Sequence, residues 1–182
     1  MIEKSKKDKV QSAVLGAAGE HLAISHLLRR NLVAGLAPQN TENFDIVVMS
    51  KSGQFLFPVQ VKTSKNKNTW MLGKKHEASI ENLIYILIRF SQDLNTSEIF
   101  VLDSEKISEV IKMSHQIWLK LPSKDGGKHR DTDIRNLNTD NSTLIRKVPN
   151  GHQLLSTKEI KFIESHSMGW LEKYRENWNL FS

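Results

Sequence analysis

Residues 44–63 read FDIVVMSKSGQFLFPVQVKT, and the fold turns on them. Two apolar runs flank Lys51-Ser52-Gly53, a triplet suited to a tight reversal, so residues 44–49 and 54–63 are expected as the antiparallel strands of a hairpin. Successive side chains of a strand point to opposite faces. Asp45 therefore shares a face with Val47 and Met49, while Gln60 and Lys62 stand side by side on one face of the second strand. Taken singly, each has an ordinary explanation. Asp45 can close the turn over residues 40–43, and Gln60 and Lys62 can be the exposed face of an edge strand, which Pro58 also suits.

Upstream, Ala13, Ala17, Ile24, Leu27 and Leu28 fall at helical spacing and predict a first helix over residues 12–30. Glu20 lies on or beside that stripe, where an unpaired carboxylate is costly to bury. It can reach solvent, pair with His21 or Arg29, or face a metal. Gly16 and Gly19 lie within the helical pattern with no strand before them, so close helix packing explains them better than a nucleotide phosphate loop. Residues 32–37 suit a short strand.

Downstream, residues 83–90 are apolar apart from Arg89 and suit a strand buried on both faces, with residues 98–102 as its neighbour. Asp103 or Ser104 starts a helix through Ile107, Val110 and Ile111. Residues 122–142 are polar, turn at Asp125-Gly126-Gly127, and are expected as a long, mobile surface loop. Ser156 with Glu159 fits a capping box opening a C-terminal helix, and Trp170, Leu171, Tyr174 and Trp178 are expected to line a second one. The expected organisation is one domain, with a core over residues 1–120 and a polar loop plus C-terminal helical extension over 121–182.

The 182 residues are 38% hydrophobic and 25% charged, an ordinary balance for a folded chain. No apolar run reaches membrane-spanning length, and the N-terminal MIEKSKKDKVQ has no apolar stretch behind its lysines. A cytoplasmic location and no membrane partner are expected. Cysteine is absent, which removes disulfides, thiolate nucleophiles and cysteine zinc sites together. The seven histidines show no zinc-ligand spacing. A net charge of +6 and a pI near 9.5 favour polyanions, nucleic acid before acidic membranes.

Gly19-Glu20, Asn43-Phe44-Asp45-Ile46 and Val59-Gln60-Val61-Lys62-Thr63 together resemble, in order and spacing, the motifs of the PD-(D/E)XK, restriction-endonuclease-like nuclease superfamily. The resemblance extends toward small bacterial single-domain members through Trp70-Met71-Leu72-Gly73-Lys74-Lys75, residues 83–90 and 98–102, Trp118 and Trp178. Two positions depart from the usual pattern. Phe44 stands before Asp45 where proline is common, and Gln60 stands where Asp or Glu is usual, similar to the variant of Mrr-like restriction enzymes.

The resemblance implies an α/β fold with a mixed central sheet flanked by helices: a helix, a three-stranded meander, a helix or loop, then a further strand. It implies a metal-dependent endonuclease acting on nucleic acid, DNA before RNA, in restriction, repair or phage defence. The implied site is Glu20, Asp45, Gln60 and Lys62. Asp45, the Gln60 oxygen and the Val61 carbonyl would hold Mg²⁺, or Mn²⁺ in its place, with Glu20 contributing directly or through water. Lys65, Lys67, Lys74 and Lys75, with Trp70 among them as a stacking surface, are expected to track the phosphates; the alternative is a solvated basic loop with Trp70 turned into the core, the commoner place for a large aromatic. A catalytically inactive nucleic-acid-binding module is the alternative, and a third reading is a structural subunit with Trp170 and Trp178 as its partner surface. A homodimer is left open.

Overall fold

The computed structural model describes residues 11–65, 67–146 and 148–181; the lysine-rich residues 1–10, read above for a leader segment, lie outside them. A five-stranded mixed sheet has helix α1 (Ser12–Leu28) on one face and α2 (Ser104–Lys120) on the other. The strands run β1 (Val33–Leu36), β2 (Ile46–Met49), β3 (Phe55–Lys65), then β5 (Ile84–Phe90) and β6 (Ser97–Asp103) in spatial order. Strands β1, β2 and β3 form an antiparallel meander, β3 pairs parallel with β5, and β6 closes the far edge antiparallel. The expected fold class is the one observed.

The 44–63 stretch behaves as its pattern requires. Ser50 and Gly53 close the reversal with Gly53 N–H donating to Ser50 O at 3.0 Å, and Gly53 takes φ +83°, a value that suits glycine. Pro58 pairs with Val47 of β2, and β5 joins β3 only from Val59 onward. The proline thus sits where β3 is still an edge strand, and the ladder that needs every N–H begins one residue later.

Each face of the sheet carries its own core. Ile46, Val48, Val59, Val61, Ile86 and Ile88 pack with Ala23 and Leu27 of α1. Tyr85, Leu87, Phe100 and Leu102 pack with α2 and the C-terminal third. On α1 the inward positions are Gly19, Ala23 and Leu27, which corrects the expected stripe: Ala13, Ala17 and Leu28 are exposed. Apolar residues surround this helix, so hydrophobicity does not choose the inward face. Small residues choose it, because they let the helix approach β3.

Two further corrections fall in the C-terminal third. Residues 122–142 are not one surface loop, because β7 (Ile134–Asn138) pairs antiparallel with β4 (Thr69–Gly73) in a separate two-stranded sheet. Leu137 is fully buried and Arg135 nearly so. Nor do Trp170 to Trp178 line a helix: this segment forms turns and short 3-10 pieces at Glu172–Tyr174 and Trp178–Phe181. Trp170 and Trp178 are buried in the two cores, so they offer no partner surface. Before them, Ser156 and Glu159 form the expected capping box at the start of α4 (Thr157–Ser165), which follows the one-turn helix α3 (Thr143–Arg146). No helix among the described residues is long and apolar enough to cross a membrane.

Candidate active site

Asp45 is delivered by the chain just before β2. Asn40 and Asn43 adopt φ +66° and +71°, a left-handed conformation that asparagine tolerates. The chain then enters the sheet: Asp45 N–H donates to Val59 O and Ala37 N–H donates to Asp45 O, both at 2.8 Å. With its backbone held on both sides, the Asp45 side chain points onto β3. Its Oδ2 accepts the Val61 backbone N–H at 2.7 Å and also the Gln60 side-chain amide.

Gln60 is buried, at 4% exposure, on the central strand, and its amide is satisfied by Asp45 and by a 3.4 Å approach to Val61 O. The nitrogen of its amide faces Asp45. A half-turn of the terminal torsion brings the oxygen to the same position without backbone movement.

Glu20 and Asp45 line one cleft of about 230 Å³, together with Phe44 and the loop over residues 36–41. Burial, and then the negative charge of Asp45, hold the Glu20 carboxyl above the usual range, partly offset by His21 and Lys62. Lys62 responds in the opposite sense. Burial lowers its pKa, the charges of Asp45 and Glu20 oppose that shift, and the Lys75 ammonium adds to it. Asp45, Gln60 and Val61 are in direct contact, while Glu20 and Lys62 act on the same point through their charges.

Two residues here were not singled out in the sequence. Tyr85 lies in register with Gln60 across the β3–β5 pairing, and its hydroxyl is 2.7 Å from His76 Nδ1. Burial and the nearby Asp45 raise the tyrosine pKa. Burial, followed by the charges of Lys62 and Lys75, lowers that of His76 to about 4. The signal in the sequence was faint: Tyr85 is the one polar-tipped residue in the aliphatic run 83–88, and His76 directly follows Lys74 and Lys75.

The basic stretch divides. Lys67, Lys74 and Lys75 are exposed and Lys65 half-buried; Lys74 pairs with Asp131 at 3.3 Å. Trp70 takes the core alternative and not the stacking one. On β4 the alternation turns Trp70 and Leu72 inward, Trp70 is 1% exposed, and its indole N–H donates to Ile88 O at 3.1 Å with Phe100 edge-on. No ring face is left for a base.

Among the described residues, no three histidine, cysteine or acidic side chains gather closely enough to hold a metal ion. The donor set at Asp45 is instead two mutually repelling carboxylates, an amide and a backbone carbonyl. All can present oxygen, which suits a hard cation such as Mg²⁺ or Mn²⁺. The residues therefore fit such an ion, provided that the Gln60 amide turns its oxygen inward.

No protein-family model matches the chain, and no curated protein matches it. Among solved structures the chain is similar to the bacterial homing endonuclease I-Ssp6803I, at 14% identity and a TM-score of 0.43, over 93% of this chain and 90% of that one. At that identity and score no residue role passes from one protein to the other.

Proposed function

We propose that the chain is a metal-dependent nuclease of the PD-(D/E)XK type that hydrolyses phosphodiester bonds of nucleic acid, DNA before RNA. The observation that carries this reading is the Asp45 carboxylate on the Val61 N–H and the Gln60 amide, with Glu20 and Lys62 acting on it electrostatically. The Lys62 ammonium offsets only part of the repulsion between Glu20 and Asp45. Two carboxylates that repel each other, one with its pKa raised, are relieved by a cation between them.

A divalent cation bound there would stabilise charge on the scissile phosphate and acidify bound water. The chain's own residues supply the rest. Asp45 and Glu20 would retain the cation by charge, with the Gln60 and Val61 oxygens as its further protein ligands. Lys62 orients the attacking water or offsets the charge that builds around phosphorus. The net charge of +6 draws the polyanion to the surface.

The test is nicking of supercoiled plasmid by the purified protein with Mg²⁺ or Mn²⁺, beside Lys62→Ala. Cleavage by the wild type alone is expected. Equal cleavage by both proteins would assign the activity to a contaminant or to another site.

One observation favours a second reading, a nuclease-derived binding module without turnover. The Gln60 nitrogen lies on Asp45 and can itself satisfy the carboxylate. If that bond persists in Mn²⁺, the protein binds nucleic acid and leaves it intact.

A further inference from the structure

The segment between β4 and β5 is held more firmly than a connection requires. Residues Lys74–Glu77 make one 3-10 turn. His76 is buried and bonded to the Tyr85 hydroxyl at 2.7 Å. Glu77 pairs with Arg135, which is 2% exposed, and its carbonyl accepts the Ser108 hydroxyl at 2.5 Å. Lys74 is engaged by Asp131, whose carboxylate also meets His115 at 2.8 Å and Arg135 at 3.3 Å. Three of the four residues are thus tied to β5, β7 or α2, or to the loop before β7.

The fourth is Lys75. It is exposed and makes no ion pair among the described residues. The turn that carries it is fastened beside the strand of Lys62: its neighbour His76 is bonded to the Tyr85 hydroxyl, and Tyr85 lies in register with Gln60, two residues before Lys62. A phosphate beside two neighbouring ammonium groups, one on the pinned turn and one on β3, offsets their mutual repulsion.

We propose that Lys74–Glu77 is a clasp that holds the Lys75 ammonium beside Lys62 to take a backbone phosphate next to the one being cut, with His76 and Tyr85 as its positioning residues. This rests on the nuclease reading. Within it, the lysines of the basic stretch are not equivalent. Lys74 is already neutralised by Asp131, and Lys75 is the one presented to the substrate.

The experiment measures binding of a labelled random-sequence DNA duplex in EDTA, over a series of salt concentrations, so that turnover plays no part. Lys75→Ala is expected to lower the slope of log affinity against log salt by about 0.9, the value for one phosphate contact, and Lys74→Ala to lower it less. Tyr85→Phe is expected to weaken binding several-fold in the wild-type background and to have no effect in Lys75→Ala, because its influence passes through that lysine. Equal slopes for the wild type and Lys75→Ala, or equal losses for Lys74→Ala and Lys75→Ala, overturn the proposal. So does the same Tyr85→Phe loss in both backgrounds, which marks a merely structural tyrosine. If Tyr85→Phe does not fold, the two surface lysine variants still decide. A wild-type protein that binds no duplex or single-stranded nucleic acid overturns the nuclease reading itself.

Discussion

Gly19 of α1 and Thr63 of β3 are in such close apposition that a Cβ on the glycine would lie 2.0 Å from the threonine Cγ2. The contact sets the height of the helix over the sheet, and Glu20 is the next residue along. Gly19→Ala should therefore destabilise the protein by about 1–3 kcal/mol, the range for overpacking a filled core. Thr63→Ser removes the clashing methyl and should restore most of that loss in the double variant. Urea unfolding of the four proteins in a mutant cycle checks this, and additive losses would deny the contact.

Gln60→Glu should keep the fold and bind Mn²⁺ more tightly, because a carboxylate adds charge at nearly the same reach. Without metal the same change sets a carboxylate against Asp45, where the amide now donates a hydrogen bond. The variant should thus melt below the wild type in EDTA and regain the difference with Mn²⁺. Calorimetric titration and thermal melts with and without metal test both halves. Equal or weaker Mn²⁺ binding would remove Gln60 from the ligand set.

His76 should make stability fall as pH drops. Its pKa moves from an ordinary 6.5 down to about 4 in the folded protein, so between those values the unfolded chain binds the proton and the folded one does not. The contribution is intact above pH 6.5 and is lost progressively down to about pH 4. His76→Gln should flatten that part of the stability profile, measured by denaturant unfolding at a series of pH values. An unchanged slope would mean that His76 takes up its proton as readily in the folded state.

Lys65 and Lys67 lead out of β3 toward the solvent. If both contact phosphates, replacing them with alanine should reduce the salt dependence of duplex binding by about two units of slope without altering sequence preference. Lys124, Lys128 and Arg130 provide the comparison. A slope that changes only on replacing those three would move the nucleic-acid track to the segment before β7.

Much of this was legible because the central hairpin obeys a two-residue period. Gln60 and Lys62 could be assigned to one face of their strand from spacing alone, while bringing Asp45 to them came from the resemblance, and Asp45 and Gln60 do touch. The inward face of α1 was not legible. Alanine and leucine occur all round that helix, and the decision rests on Gly19 meeting Thr63, a contact between segments far apart in sequence. Strand β7 was hidden for a related reason. Arg135 looks like a solvent residue in a polar stretch, yet it is buried because Glu77 and Asp131 neutralise it. His76 and Tyr85 were missed because neither carries a motif. Only the pairing of β3 with β5, and a turn folded back beneath it, brings them beside Gln60.

The pairing of β4 with β7 also fixes an order in time. As the chain is synthesised, Glu20, Asp45, Gln60 and Lys62 emerge early, but the turn carrying Lys75 has neither Arg135 nor Asp131 to fasten it until the segment near Ile134–Asn138 has been made. Until then, among the described residues, only Tyr85, through His76, and Ser108, through the Glu77 carbonyl, hold the turn in place.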